Sequence, residues 1–316
     1  MRETLLKILR AVSQHGYCDR AMMPEVSRDY YWNVLKILRA FGCIEIDEGK
    51  AKPGPRILEC LDLLGSDFAG YSHVYVLFGD IHVGRKTPSY NYSVACMRVK
   101  KLVRMVEMLK QSGVKVYILG LGDYVDGEGI YGRQAYEQEF DPNTQFIRFV
   151  ELAKPLVELS DGFYGIVGNH GRTSERDIGN YDYLALESLR VAVGGKVVAS
   201  KRYADVFEVN GDRVLLAHAK FRMSYGIPDY SIRRFVQSQV LYHGKINIVA
   251  LGHYHVFKAW REGNVLVVMN GTFLSDDELS YQTGLRPSIS QALIYRIGND
   301  MVVRELSLGT HPNPKG

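Results

Sequence analysis

From residue 73 onward, short and almost wholly apolar runs end abruptly in polar clusters. These runs are Val74 to Phe78, Val116 to Leu121, Phe163 to Val167, Val214 to Ala217 and Ile246 to Leu251. Apolar runs of this length without alternation predict strands buried on both faces. Between the first two runs, Val94 to Leu109 has helical spacing and is closed by Gly113, which predicts a βαβ unit. Further strands are expected over Val197 to Val209, Val265 to Met269, Ala292 to Ile297 and Met301 to Leu306. Strands in that number suit two stacked sheets flanked by helices.

Residues 1–66 follow a different pattern, because helical periodicity dominates there. Leu5, Leu9 and Val12 share one helical face, and Tyr31, Val34, Leu35, Leu38 and Phe41 share another. Ser27 is placed to cap the second helix and Gly42 to end it. An alternating strand Cys43 to Ile46, a turn at Glu48-Gly49, the segment Lys50 to Arg56 and the apolar run Ile57 to Leu61 then follow. Helices followed by a hairpin predict a small winged-helix-like domain over 1–66, with the remaining residues, 67–316, forming a larger α/β domain.

Composition changes this picture little. The chain has 316 residues, 46% of them hydrophobic and 23% charged, which allows a substantial core and makes disorder an unexpected outcome. A net charge of +4 is too weak to diagnose a polyanion partner by itself. Cys18, Cys43, Cys60 and Cys96 show no Cys-x-x-Cys spacing, so neither a zinc ribbon nor a disulfide framework is indicated, and a reducing cytoplasm is the expected compartment. No apolar run approaches the ~18 residues that span a bilayer, so no membrane partner is expected.

The chemistry lies at the strand ends. Gly79-Asp80-Ile81-His82, Gly122-Asp123-Tyr124-Val125-Asp126, Gly168-Asn169-His170, His218 and Gly252-His253-Tyr254-His255 each directly follow an apolar run. Open α/β sheets build their sites at the carboxyl ends of strands, so five such clusters can converge on one crevice. Alternation along an extended segment predicts that Asp80 with His82, and His253 with His255, point the same way. The preceding glycines are expected to let the backbone turn tightly.

Imidazoles together with carboxylates suit borderline divalent ions, Mn²⁺ first and Fe²⁺, Zn²⁺, Co²⁺ or Ni²⁺ as alternatives, whereas a Mg²⁺ site would rarely use four histidines. If two ions share the site, one carboxylate must bridge them. Asp123, on a central strand, is the best candidate. His15, His73, His243 and His311 stand outside the motifs and are read as structural or solvated.

These five clusters, in this order, resemble the calcineurin-like metallophosphoesterase superfamily over roughly residues 73–306. The resemblance implies an αββα two-sheet sandwich and two divalent ions, one held by Asp80, His82, Asp123 and His255, the other by Asp123, Asn169, His218 and His253. It further implies that His170 protonates the leaving oxygen and that Asp126 orients its neighbours. The family usually carries Asp or Glu directly after Asn-His, where this chain has Gly171 and then Arg172. Arg172 thereby becomes a candidate for holding a substrate phosphate.

The superfamily includes nucleases, protein phosphatases, nucleotidases and cyclic-nucleotide phosphodiesterases. Asp80-Ile-His-Val-Gly84, the stretch from Gly122 to Gln134 and the tail from Gly252 through Asn270-Gly-Thr272 resemble the exonuclease small subunit of archaeal family-D DNA polymerase and related phage, archaeal and double-strand-break repair nucleases. Gly122 to Asp126 also resembles serine/threonine protein phosphatases, but Gly127-Glu128 follows here in place of Arg-Gly. The expected function is therefore a DNA phosphodiesterase. The alternatives are a phosphomonoesterase or a non-catalytic DNA-bound regulator. Arg85 near the crevice, and Lys50, Lys52 and Arg56 on the hairpin, are the candidate DNA contacts. A protein partner, or a second copy of this chain, is the alternative occupant of the N-terminal module.

Overall fold

The computed structural model describes residues 2–40, 42–54, 71–130, 132, 134–171, 179–218, 228–275 and 286–309. Arg56, the run Ile57 to Leu61, the domain boundary expected at 66, Arg172 and Phe41 lie outside them.

In the N-terminal part, α1 (Arg2–His15) and α2 (Arg28–Ala40) precede a hairpin of β1 (Ile44–Asp47) and β2 (Lys50–Pro53). Helix α2 begins where Ser27 Oγ accepts from the backbone N–H of Tyr30, and the chain leaves it through Gly42 at φ 71°. The expected helical faces are buried: Leu5, Leu9 and Val12 from α1, and Tyr31, Val34, Leu35 and Leu38 from α2. Cys18 pairs with Ala51 of β2, so a third extended segment lies beside the hairpin. Cys43 is disulfide-bonded, contrary to the expectation from cysteine spacing, and Cys18 and Cys96 are free thiols.

The larger part holds two sheets. Strands β3 (His73–Phe78), β4 (Lys115–Gly120), β5 (Gly162–Gly165) and β6 (Val197–Ala199) run parallel in the order β3-β4-β5-β6. Beyond β3, β12 (Ser290–Ile297) and β13 (Asp300–Ser307) add antiparallel strands. The second sheet has the order β10-β11-β9-β8-β7, from β7 (Ala204–Val209), β8 (Asp212–Ala217), β9 (Ile248–Leu251), β10 (Lys258–Glu262) and β11 (Val265–Met269). The single strand expected over 197–209 is thus two strands in different sheets. The polar, mostly exposed stretch Ser200-Lys-Arg-Tyr203 separates them where the chain crosses between layers.

Period-two alternation shows how the layers stack. Along β3, Val74, Val76 and Phe78 join the core that includes buried residues of α3 (Tyr92–Gln111), α4 (Pro142–Leu159) and α5 (Tyr181–Ala192), while Tyr75 and Leu77 face the second sheet. Leu119, Leu121, Leu216, Ile248 and Val268 fill the space between the sheets. On the far side, Ile232 and Val236 of α6 (Pro228–His243) cover Leu215, Val249 and Val267. The result is helices outside two stacked sheets, a mixed α/β sandwich. At one end the sheets are pinned by a buried polar network, in which Tyr75 Oη donates to Asp212 Oδ2 at 2.8 Å and lies 2.8 Å from His73 Nε2. Because His73 and Asp212 begin β3 and β8, that network lies at the opposite end of the strands from Asp80 and His218.

Candidate metal centre

At the carboxyl ends of β3, β4, β5, β8 and β9 the five polar clusters meet. Each follows its strand because the apolar run ends there, freeing the next residues from the ladder. Three sets of donor atoms each lie within 4.8 Å of one another: Asp80, His82 and His255; His82, Asp123 and His170; and Asp123, His218 and His253. Asp123 and His82 are each shared by two sets. Oδ2 of Asp123 lies 3.1 Å from Nε2 of His218 and 3.8 Å from Nε2 of His82, so one carboxylate oxygen faces imidazoles of both halves. His218 Nε2 also lies 3.1 Å from Oδ1 of Asn169. Asp80 Oδ1 lies 3.3 Å from His255 Nε2, and the Nε2 atoms of His82 and His255 face each other at 3.4 Å.

The backbone reaches this arrangement differently from the expected extended alternation. Asp80, His82, Asp123, His253 and His255 have φ of 53°, 51°, 48°, 83° and 58°, the left-handed region that non-glycine residues seldom occupy. Within each pair, Asp80 with His82 and His253 with His255, both members have positive φ in place of extended backbone. Gly122 supplies a turn at φ 85°. Gly168 instead permits close approach, since a Cβ there would lie 2.1 Å from Oδ1 of Asp123.

Neighbouring groups fix these loops. The Asp80 carbonyl accepts from Thr272 Oγ1 at 2.8 Å and from the backbone N–H of Phe273 at 3.0 Å, and the Asp80 carboxylate accepts from the backbone N–H of His253 at 3.0 Å. Gln291 Oε1 accepts from the N–H of Gly79 and from Asn270. Asp126 is buried, with Oδ1 3.3 Å from His82 Nδ1 and 3.5 Å from His170 Nδ1, while Gln134 donates to its backbone carbonyl and its carboxylate. Leu121 offers its carbonyl to His218 Nδ1 at 2.7 Å, which leaves Nε2 for the centre. Sequence reasoning missed Gln134, Gln291 and Asp182. All three act through hydrogen bonds to backbone, and no residue spacing reveals such bonds.

Electrostatics follows from this crowding. Burial opposes ionisation of Asp123, yet the His218 and His170 imidazoles hold its carboxyl well below the ordinary carboxylate range. Against the effect of burial, Asp123 pushes His218 up to about 9, whereas burial and the charge of His218 push His253 down to about 3. Burial and the nearby His170 lower His82. For His170, burial is outweighed by the carboxylates of Asp123 and Asp126, which raise it. For Asp182, burial and the charge of Asp123 push the carboxyl up to about 7. A carboxylate held ionised among several imidazoles and an amide oxygen is a donor set that fits borderline divalent cations.

The remaining candidates are not among these donor sets, although the Arg85 backbone N–H donates to the His82 carbonyl at 2.9 Å. Arg85 is 5% exposed and its guanidinium pairs with Glu137 at 2.8 Å. Lys52 pairs with Asp47, and Lys50 lies over the Tyr17 ring at 5.2 Å, both in the N-terminal part.

The sandwich and its clustered His, Asp and Asn side chains define a class of metal-dependent hydrolases. The family model of calcineurin-like phosphoesterases matches residues 73–264, and the chain belongs to that family. No curated protein matches the chain in sequence. Similar solved structures include an archaeal phosphodiesterase, at 12% identity and TM-score 0.42, with 74% of this chain and 99% of that one covered. Zinc-bound Vps29 from Entamoeba histolytica has 11% identity and TM-score 0.38, with 75% and 99% covered. A protein from Streptococcus pneumoniae, described as a predicted phosphoesterase, has 13% identity and TM-score 0.37, with 77% and 93% covered. Among the described residues, no helix is long and apolar enough to cross a membrane.

Proposed function

We propose that this chain is a two-metal phosphodiesterase that cleaves DNA. The observation that carries the reading is the pair of donor sets, Asp80, His82 and His255 on one side and Asp123, His218 and His253 on the other, with Asp123 Oδ2 facing both. Asp80, His82, Asp123 and His255 would hold one ion, and Asp123, Asn169, His218 and His253 the other. Bound there, two divalent ions supply charge neutralisation at the phosphoryl oxygens and a water of lowered pKa, and Mn²⁺ is the first candidate.

The chain's own part is to aim and to move a proton. His170 Nδ1 donates to the Asp126 carbonyl at 2.9 Å, which fixes the tautomer and makes Nε2 the atom that hands a proton to the leaving oxygen. The neighbouring carboxylates raise the affinity of His170 for that proton, which suits an acid near neutral pH. Arg172 remains the candidate for a bidentate hold on a phosphate.

Preference for DNA rests on the N-terminal module. Its order of helix, extended segment at Cys18, helix and hairpin supports a winged-helix reading. On α2, Arg28, Asn33, Lys36 and Arg39 are exposed, donors of the kind that contact phosphates and base edges. The likeness to the exonuclease small subunit of family-D DNA polymerase points the same way. The test is incubation with Mn²⁺ and labelled single- and double-stranded DNA, bis-p-nitrophenyl phosphate and p-nitrophenyl phosphate. Cleavage of DNA and the diester is expected. Preference for the monoester would select a phosphatase, and silence on all four substrates a non-catalytic regulator.

A further inference from the structure

No side chain fits at Gly171, because the start of α5 stands against it. A Cβ on Gly171 would lie 2.4 Å from Oδ1 of Asn180, 2.8 Å from the backbone nitrogen of Asp182 and 3.0 Å from its Cβ. The start of α5 therefore occupies the room a side chain at 171 would need. Asp182, in the first turn of that helix, is fully buried and directs its carboxylate at backbone amides. Oδ2 accepts from Asp123 at 2.8 Å and Gly168 at 2.7 Å, and Oδ1 accepts from Tyr124 at 3.0 Å and Val125 at 3.2 Å. Asn180 Oδ1 in turn accepts from the Asp182 N–H at 2.9 Å, fixing where the carboxylate sits.

We propose that Asp182 is a positioning residue that locks the loop after β4 to the loop after β5, so that Asp123 and Asn169 meet on the same cation. The proposal rests on the two-metal reading. One oxygen, Oδ2, holds an amide from each loop, so the two loops cannot shift independently while it is in place. The two carboxylate oxygens of Asp182 accept from four backbone N–H donors at once, whereas an amide would offer one acceptor oxygen and turn its own N–H groups toward the others.

The test is Asp182→Asn, with Mn²⁺ titrated into metal-free protein and followed by electron paramagnetic resonance and by hydrolysis of bis-p-nitrophenyl phosphate. Groups that orient metal ligands typically change metal affinity by about 10- to 100-fold, so half-saturation is expected to need that much more Mn²⁺, with KM for the diester at saturating Mn²⁺ unchanged. Leu189→Ala, a buried core change on the same helix, serves as the control and is expected to lower Tm without altering Mn²⁺ affinity. If Asp182→Asn does not fold, Asp182→Ser, whose hydroxyl oxygen still accepts, is read in the same titration. A folded variant with lower Tm but wild-type Mn²⁺ affinity would overturn the positioning role alone. Absence of Mn²⁺ uptake by the wild-type chain would overturn the two-metal reading and this proposal together.

Discussion

Oδ2 of Asp123 and Nε2 of His218 lie 3.1 Å apart, and the same oxygen is 3.8 Å from Nε2 of His82. One carboxylate therefore stands between imidazoles belonging to opposite halves of the centre. Asp123→Asn is expected to abolish diester hydrolysis and to lower bound Mn²⁺ below two ions per chain, because a neutral amide cannot balance two dications. Metal analysis after gel filtration checks this. Two retained ions with wild-type turnover would rule out the bridge.

His170 Nδ1 is engaged by the Asp126 carbonyl, and its ring packs edge-on against His82 with centroids 4.4 Å apart. His170→Ala is expected to keep both metals while lowering kcat by about 10² to 10⁴-fold, the usual range for a general acid. The loss should be smaller for a p-nitrophenyl ester, whose leaving group needs little protonation, than for a nucleotide ester. Equal losses on both would assign His170 to phosphate positioning.

Far from the centre, Asp212 ties the sheets through Tyr75 and His73, with Arg296 3.6 Å away. Burial opposes its ionisation, but hydrogen bonds from His73 and Tyr75 and the charge of Arg296 outweigh burial and lower its pKa. A carboxyl with a depressed folded pKa contributes stability that is present above its unfolded value and lost as pH falls through the folded one. Asp212→Asn is therefore expected to cost about 1 to 3 kcal/mol near neutral pH. The gap to wild type should narrow as pH drops below about 4, the ordinary carboxylate value. Urea unfolding at a series of pH values reads this directly, and a pH-independent gap would contradict it.

Phe78 is fully buried just before the Gly79-Asp80 loop, against Phe149, Phe163 and Phe273. Phe78→Ala is expected to destabilise the chain by about 3 to 5 kcal/mol through reduced burial and the cavity left behind. Thermal unfolding checks the magnitude, and a loss under about 1 kcal/mol would mean that the core collapses around the site.

On the N-terminal module, the exposed face of α2 and the hairpin make separate predictions about DNA. Removing a side chain that neutralises one phosphate should flatten the slope of log affinity against log salt by roughly 0.9. Lys36→Ala with Arg39→Ala is expected to flatten it more than Lys50→Ala with Lys52→Ala, because Lys52 is already paired with Asp47. Salt titrations on metal-free protein and duplex DNA compare the two. Unchanged slopes in both would assign the module to protein binding.

Much of this arrangement was legible in the sequence because it is local. An apolar run followed at once by Gly-Asp or Gly-His marks both a strand and its end, so β3, β4 and β9 and their donors could be read together, and His218 could be read directly after β8. Residues whose work is done across the chain were not legible. Asp182 looks like any acidic residue in a helix's first turn, and its four amide partners lie 14 to 59 positions away. The left-handed backbone at Asp80 and His82 was hidden for a related reason, since an alternating Asp-x-His reads as extended until the loop's hydrogen bonds are known. The crossing between β6 and β7 was missed because Val197 to Val209 contains apolar residues on both sides of a short polar break.

The central claim is that two cations act together on a phosphodiester. Its most direct test is stepwise addition of Mn²⁺ to metal-free protein at a concentration well above the dissociation constants, with bis-p-nitrophenyl phosphate hydrolysis read at each step. Activity is predicted to rise mainly with the second equivalent and to level off at two per chain. Full activity at one equivalent, or none at any Mn²⁺ concentration while two ions are bound, would contradict it.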